Sequence, residues 1–167
     1  MKQDCDIAVI GAGPAGSTVA KLLNDAGLRV TLLEAQKFPR FVIGESLLPN
    51  CMNVLERAGF LPALEKAGFQ HKNGAVFECG EQYRSIDFRQ NFETIGWGTT
   101  YQVKRAEFDH ILAKEAERSG VDIRFEHKVT AVHAADNDCQ IIYEDAAGEE
   151  STLRASFIVD ASGYGRV

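Results

Sequence analysis

Gly11, Gly13 and Gly16 stand at G-x-G-x-x-G spacing, and an acidic residue, Glu34, follows 18 positions after the last of them. Those residue types suit the binding of a diphosphate more than acid–base work. The first glycine permits a tight turn, the second lets a pyrophosphate approach the backbone, and the third lets a helix pack close to a strand. Amides left free at the start of that helix would donate to phosphate oxygens. Glu34 would accept hydrogen bonds from an adenosine ribose, and its charge disfavours a 2′-phosphate there. Three glycines alone are a weak signal; the elements around them decide whether they form a binding turn.

Asp6-Ile7-Ala8-Val9-Ile10 is a continuous apolar run bounded by glycine, as expected of a strand buried on both faces. Pro14 suits the first turn of a helix whose apolar stripe is Ala15, Val19, Leu22, Leu23 and Ala26, with Gly27 as its stop. Leu28 to Glu34 reads as a second strand. Strand, glycine turn, helix and strand within 34 residues imply a right-handed parallel crossover, the start of a doubly wound sheet.

Two short helices are expected from about Pro49 to Ala58 and Pro62 to Ala67. The near-copies Glu56-Arg57-Ala58-Gly59-Phe60 and Glu65-Lys66-Ala67-Gly68-Phe69 are read as two similar helix stops. Ala75 to Cys79, Tyr83 to Phe88 and Gly98 to Val103 are rich in aromatic and β-branched residues and read as strands. Arg105 to Ser119 turns helical, with Phe108, Ile111, Leu112 and Ala116 on one face and Gly120 closing it. Strands are then expected at Val121 to Phe125, Lys128 to His133, Cys139 to Glu144, Thr152 to Arg154 and Phe157 to Asp160. Asp136-Asn137-Asp138 and Ala147-Gly148-Glu149 supply turns.

At 167 residues, 45% hydrophobic and 25% charged, the chain has the composition of an ordinary globular domain. Its net charge of −6, pI near 5.2 and lack of any Lys/Arg run give no footprint for nucleic acid or an anionic membrane. No apolar stretch approaches the span of a bilayer, and the cytoplasm is the expected compartment. Cys5, Cys51, Cys79 and Cys139 lie 46, 28 and 60 residues apart without a CxxC pair, so buried, reduced thiols are expected. His71, His110, His127 and His133 lack HxH or HExxH spacing, so no metal site is expected. Gly44-Glu45-Ser46-Leu47-Leu48 lacks the final glycine of a serine-hydrolase elbow.

Gln36 to Pro49, with its Phe-Pro-Arg-Phe and Gly-Glu-Ser-Leu-Leu-Pro runs, resembles a segment of the FAD-dependent monooxygenase and halogenase superfamily, which includes geranylgeranyl-reductase-like enzymes. The likeness extends to the turn at Gly13 to Ser17, to Val103-Lys104-Arg105 ahead of a helix ending near Gly120, and to Asp160-Ala161-Ser162-Gly163. It implies an α/β fold, a three-layer FAD/NAD(P)-binding Rossmann-like domain with a β-rich insertion. On that basis residues 1–74 form its first segment, 75–103 the insertion on the substrate side, and 104–167 a returning segment.

By the same resemblance Gly11, Gly13, Pro14, Ala15, Gly16, Ser17, Glu34 and Ala35 line the adenosine diphosphate of FAD. Arg40 and the Gly44-Glu45-Ser46 turn lie toward the flavin, and Arg105 reaches the cofactor from the later helix. Val129 offers backbone contacts to the adenine side, and Asp160 with Gly163 resembles the second glycine motif of these flavoproteins. Lys72 stands roughly where flavin halogenases keep an essential lysine, whose amine could hydrogen-bond to, or react with, hypohalous acid. Each also has a plainer reading: Arg40 and Arg105 as surface ion pairs, Ser46 as a helix cap, Lys72 as an exposed turn lysine beside Asn-Gly. Trp97 and Tyr101 could face a substrate or fill a small sheet core.

The implied activity is an FAD-dependent oxidoreductase using reduced flavin and dioxygen to oxygenate or halogenate a small organic substrate. NAD(P)H or a partner flavin reductase would donate electrons. Alternatives are a halogenase proper using Lys72, a saturating reductase of prenyl-like chains, a non-catalytic nucleotide-binding module and a simple NAD dehydrogenase. Because relatives of this kind continue past a terminal glycine loop, the chain is expected to be an N-terminal portion that is inactive alone and holds FAD weakly.

Overall fold

The computed structural model describes residues 3–90, 96–136 and 138–165; the readings that touch Met1, Lys2, 91–95, Asn137, Arg166 and Val167 lie outside the described residues. In chain order the elements are β1 (Cys5–Ile10), α1 (Pro14–Asp25), β2 (Val30–Glu34), α2 (Asn50–Arg57), α3 (Leu61–Ala67), β3 (Gln70–Lys72), β4 (Gly74–Cys79), β5 (Gln82–Asp87) and β6 (Thr100–Gln102). They continue with α4 (Arg105–Ser119), β7 (Asp122–Phe125), β8 (Lys128–His133), β9 (Cys139–Glu144), β10 (Glu150–Asp160) and a 3-10 turn at Gly163–Gly165. Two compact units result, one running to Phe41 and resuming at Asp109, the other Val42–Phe108.

The first unit is built on a sheet in the order β7-β2-β1-β10-β9-β8. β1 pairs in parallel with both β2 and β10, and β2 with β7, so apolar side chains on both faces of these strands must be covered. Ile7, Val9 and Leu32 pack on one face with Ala20 of α1 and with Ala113 and Ala116 of α4. Ala8, Ile10 and Leu33 pack on the other with Val129, Ile141, Tyr143 and Leu153. Each fully buried Val or Leu here contributes about 1.5–3 kcal/mol.

The third layer is therefore made of strands. Among the described residues the helices of this unit pack on a single face, which corrects the doubly wound expectation. β10 explains the arrangement. Its first half pairs antiparallel with β9, and from Ala155 to Asp160 it pairs in parallel with β1. The two strands expected at Thr152 to Arg154 and Phe157 to Asp160 are thus one strand serving two layers. β8, at the edge of the hydrogen-bonded order, packs back against β2.

In the second unit β3 pairs antiparallel with β6, matching Gln70 with Gln102, His71 with Tyr101 and Lys72 with Thr100. Lys72 is therefore a half-buried strand residue, which corrects its reading as an exposed turn lysine. Phe69 meets Tyr101 at 6.4 Å and Phe108 edge-on at 6.1 Å, so Tyr101 fills the small core. β4 and β5 form a separate hairpin with Val76, Phe77 and Tyr83 exposed. Among the described cysteines Cys5 and Cys139 are buried, but Cys51 is half-buried and Cys79 exposed, so burial holds for two of four. Burial pushes the Cys5 thiol above its ordinary range. No helix among the described residues is long and apolar enough to cross a membrane.

Candidate functional site

Parallel register brings the carboxyl ends of three strands together. Ile10 lies beside Leu33 on β2 and Asp160 on β10, so the chain leaves all three strands at one edge, where open α/β sheets take their ligands. The Gly11 amide donates to Leu33 O at 2.8 Å and the Ala161 amide to Ile10 O at 2.9 Å. The glycine turn, Glu34 and the Asp160–Gly163 loop are consequently neighbours.

The three glycines have different reasons for being glycine. Gly11 has φ +93°, and a Cβ there would stand 2.7 Å from Ala161 O. A Cβ on Gly16 would stand 1.8 Å from Gly11 O, so the close approach of α1 to the turn admits no side chain. Gly13 differs. Its backbone is ordinary (φ −64°, ψ −179°), and an added Cβ would meet only an Arg40 nitrogen, at 3.7 Å. Among the described residues no contact requires glycine at 13, and its open backbone admits close approach from outside.

α1 has no side-chain cap, and Pro14 occupies its first turn. The first amide of the helix to bond back is Ser17, onto Gly13 O at 2.9 Å. The amides of Gly13, Ala15 and Gly16 have no acceptor among the described residues. Together with the helix dipole they form an anion site awaiting an acceptor. Ser17 Oγ donates to Ala12 O at 2.9 Å, and Thr18 Oγ1 to Pro14 O, so both hydroxyls staple the turn.

Glu34 is buried, and each of its carboxylate oxygens accepts one backbone amide. One oxygen accepts the Ala12 amide at 2.8 Å and the other the Gln36 amide at 2.9 Å. Each carboxylate oxygen can accept twice, so capacity for ribose hydroxyls is left. Arg40 Nε lies 3.9 Å from Glu34 Oε1, while its Nη1 donates to Asp109 Oδ2 at 3.2 Å and its guanidinium covers the Phe38 ring at 4.5 Å. Arg40 is thus no surface residue: its side chain is 16% exposed and that of Asp109 0%. Sequence reading missed Asp109. The available signal was an acid at 109 on the stripe of Leu112, Ala113 and Ala116, where a buried charge demands a partner.

The remaining expected positions of this unit sit as follows. Ala35 is exposed just beyond Glu34. Val129 buries its side chain in the strand layer of the core, with a register shift between 129 and 131 on the edge strand β8. Asp160 accepts the Ser162 amide at 2.9 Å, and the Ser162 hydrogen bonds hold its carboxyl below the usual range. Gly163 takes φ +66° to turn the loop.

In the second unit, Gly44, Glu45, Ser46, Lys72 and Arg105 converge. Residues 45–47 run along β6: Val103 N donates to Glu45 O at 2.8 Å, Leu47 N to Tyr101 O at 3.2 Å, and Ser46 bridges Gln102. Arg105 Nη1 donates to Ile43 O at 3.2 Å and Gly44 O at 3.3 Å, buttressing a glycine with φ +99°. Across β6, Lys72 Nζ donates to Ser46 Oγ at 2.5 Å and Leu47 O at 3.2 Å, beside the Phe88 ring at 5.2 Å. Ser46 caps no helix, since α2 begins at Asn50 with Pro49 at its cap position.

Free helix-start amides, a glycine with room at its Cβ and a carboxylate with lone pairs to spare stand at one edge of a parallel sheet, and this donor set fits the adenosine diphosphate half of FAD. A family model described as the FAD binding domain matches residues 4–166, and the chain belongs to that family. It is 38% identical to the tryptophan 2-halogenase of Chondromyces crocatus over 160 residues, covering 94% of this chain and 30% of that protein. The crystal structure of a flavoprotein/dehydrogenase from Cytophaga hutchinsonii is 49% identical, with a TM-score of 0.92 over 96% of this chain and 40% of that one. The myxobacterial chondrochloren halogenase CndH, an FAD-dependent halogenase, is 37% identical, with a TM-score of 0.86 over 96% of this chain and 38% of that one. The chain thus spans about a third of the length of the relatives it matches.

Proposed function

We propose that this chain is the adenosine-diphosphate-binding part of an FAD-dependent oxidoreductase that halogenates or oxygenates a small organic substrate, using reduced flavin and dioxygen. Gly13 carries this reading, because a Cβ there would meet only an Arg40 nitrogen at 3.7 Å, which leaves its backbone open to the close approach of a ligand. In it the amides of Gly13, Ala15 and Gly16 hold the pyrophosphate and Glu34 holds the ribose. Ala35, Val129, Asp160 and Gly163 line the adenosine side, with Pro14 starting the helix and Ser17 stapling the turn. Arg40 sets Glu34 against Asp109. When bound, FAD supplies the redox chemistry, and the protein supplies position.

Halogenation is favoured by the halogenase relatives and by Lys72, whose amine is held by two acceptors on a strapped segment instead of waving in solvent. Gly44, Glu45 and Arg105 keep that segment in place. NAD(P)H or a partner flavin reductase supplies the electrons. A second reading, a dehydrogenase or saturating reductase without halide, is favoured by the 49% identity to the flavoprotein/dehydrogenase.

The deciding assay uses the full-length protein with FAD, a reducing system, dioxygen and phenol, indole or pyrrole substrates, with and without chloride or bromide. Halide-dependent mass gain, lost in Lys72→Ala, is the expected result. Oxygenated product independent of halide would replace halogenation by oxygenation. Alkene reduction without dioxygen would establish the reductase, and nucleotide binding with no flavin reduction would leave a binding module.

A further inference from the structure

We infer that Ser46 is the positioning residue of Lys72, fixing its amine on the strapped segment 45–47. The inference rests on the halogenation reading for its catalytic consequence and on geometry alone for the placement. An ammonium carries three donors. Two of them go to adjacent residues of one segment, Ser46 Oγ at 2.5 Å and Leu47 O at 3.2 Å, and the Phe88 ring lies alongside at 5.2 Å. One donor direction remains for a reacting partner. The acceptors are themselves fixed, because 45–47 pairs along β6 and Arg105 holds the carbonyls of Ile43 and Gly44. Lys72 lies opposite Thr100, so its side chain reaches over β6 to make the bond, and Thr100 Oγ1 adds a donation to Leu48 O at 3.4 Å. A long flexible lysine ordinarily keeps its rotamer freedom; here a hydroxyl of the right reach confines it.

Ser46 therefore contributes a hydrogen bond to a charged group and no bulk to the core, since its own residue is exposed. Alanine there should free the amine without disturbing the fold. Threonine should keep the acceptor.

The test is the rate at which acetic acid N-hydroxysuccinimide ester acylates each lysine of this 167-residue chain, read by peptide mass spectrometry. Exposed Lys37, Lys104 and Lys128 serve as internal controls. Lys72 should react more slowly than these. Ser46→Ala should raise its rate about tenfold, the equivalent of one charge-assisted hydrogen bond, with the controls unchanged and Ser46→Thr restoring protection. Equal Lys72 rates in the native, Ala and Thr chains would overturn the inference. Should Ser46→Ala raise every lysine, the Thr chain decides: protected Lys72 upholds the placement, and exposed Lys72 refutes it. Labelling needs no turnover, so its outcome is separable from halide incorporation by the full-length enzyme, which tests the function itself.

Discussion

Gly16 is glycine because the protein leaves no room for a side chain, whereas Gly13 has that room and is proposed to face a ligand. Gly13→Ala should leave stability within about 1 kcal/mol of the native chain, because its backbone suits any residue and the lost backbone freedom of the unfolded state offsets a weaker helix start. The same change should weaken binding of FAD or ADP at least tenfold, about 1.4 kcal/mol, in a fluorescence or calorimetric titration. Gly16→Ala should instead unfold the turn, costing about 3 kcal/mol or more by overpacking, seen as a lowered denaturation midpoint. Asp160 gives a pH signature. Its carboxyl is held below the ordinary 3.8 by Ser162, so the contact is intact above that pH and is lost as pH falls through the lower folded value. The protection factor of the Ser162 amide against hydrogen exchange should fall only below about pH 4, and Asp160→Asn should abolish that dependence.

Elements were legible where periodicity was strong. The four apolar residues Ile7 to Ile10 and the glycine turn marked β1 and α1, and proline starts with glycine stops marked α2 and α3. β10 was misread as two strands because Arg154 to Ser156 break its apolar pattern where it leaves one layer for another. β3 was missed because Gln70-His71-Lys72 has no strand pattern and owes its pairing to Tyr101 and Phe69 beneath it. The same tertiary origin hid the Lys72–Ser46 bond, since no local rule joins residues 26 positions apart. Asp109 illustrates the cost of a charge on a buried helix face. Asp109→Ala should destabilise by about 3 kcal/mol, because the largely buried Arg40 loses its hydrogen-bonded carboxylate and keeps only the longer contact to Glu34, and the thermal midpoint should fall accordingly. Leucine at 109 combined with methionine at 40 should recover much of that loss while still weakening nucleotide binding, which would separate packing from the setting of Glu34.

At the scale of the molecule, the layered sheet does one thing that residues and elements cannot: it delivers three strand ends in register, so that a turn, an acid and a loop meet. β1 and β10 run parallel, yet β10 also belongs to the strand layer, so the second core braces the same edge from behind. Half of that site was present in the spacing of glycines and Glu34. The rest, the Arg40–Asp109 pair and the backing of Gly11 by Ala161, depends on contacts between distant segments. The most direct measurement of the central claim is a 1H–15N titration of this chain with ADP, which reports even weak binding. Shifts should concentrate at the amides of Gly13, Ala15 and Gly16 and at Glu34, with the Gly13→Ala chain largely silent. Shifts centred elsewhere, or equal shifts in both chains, would contradict that claim.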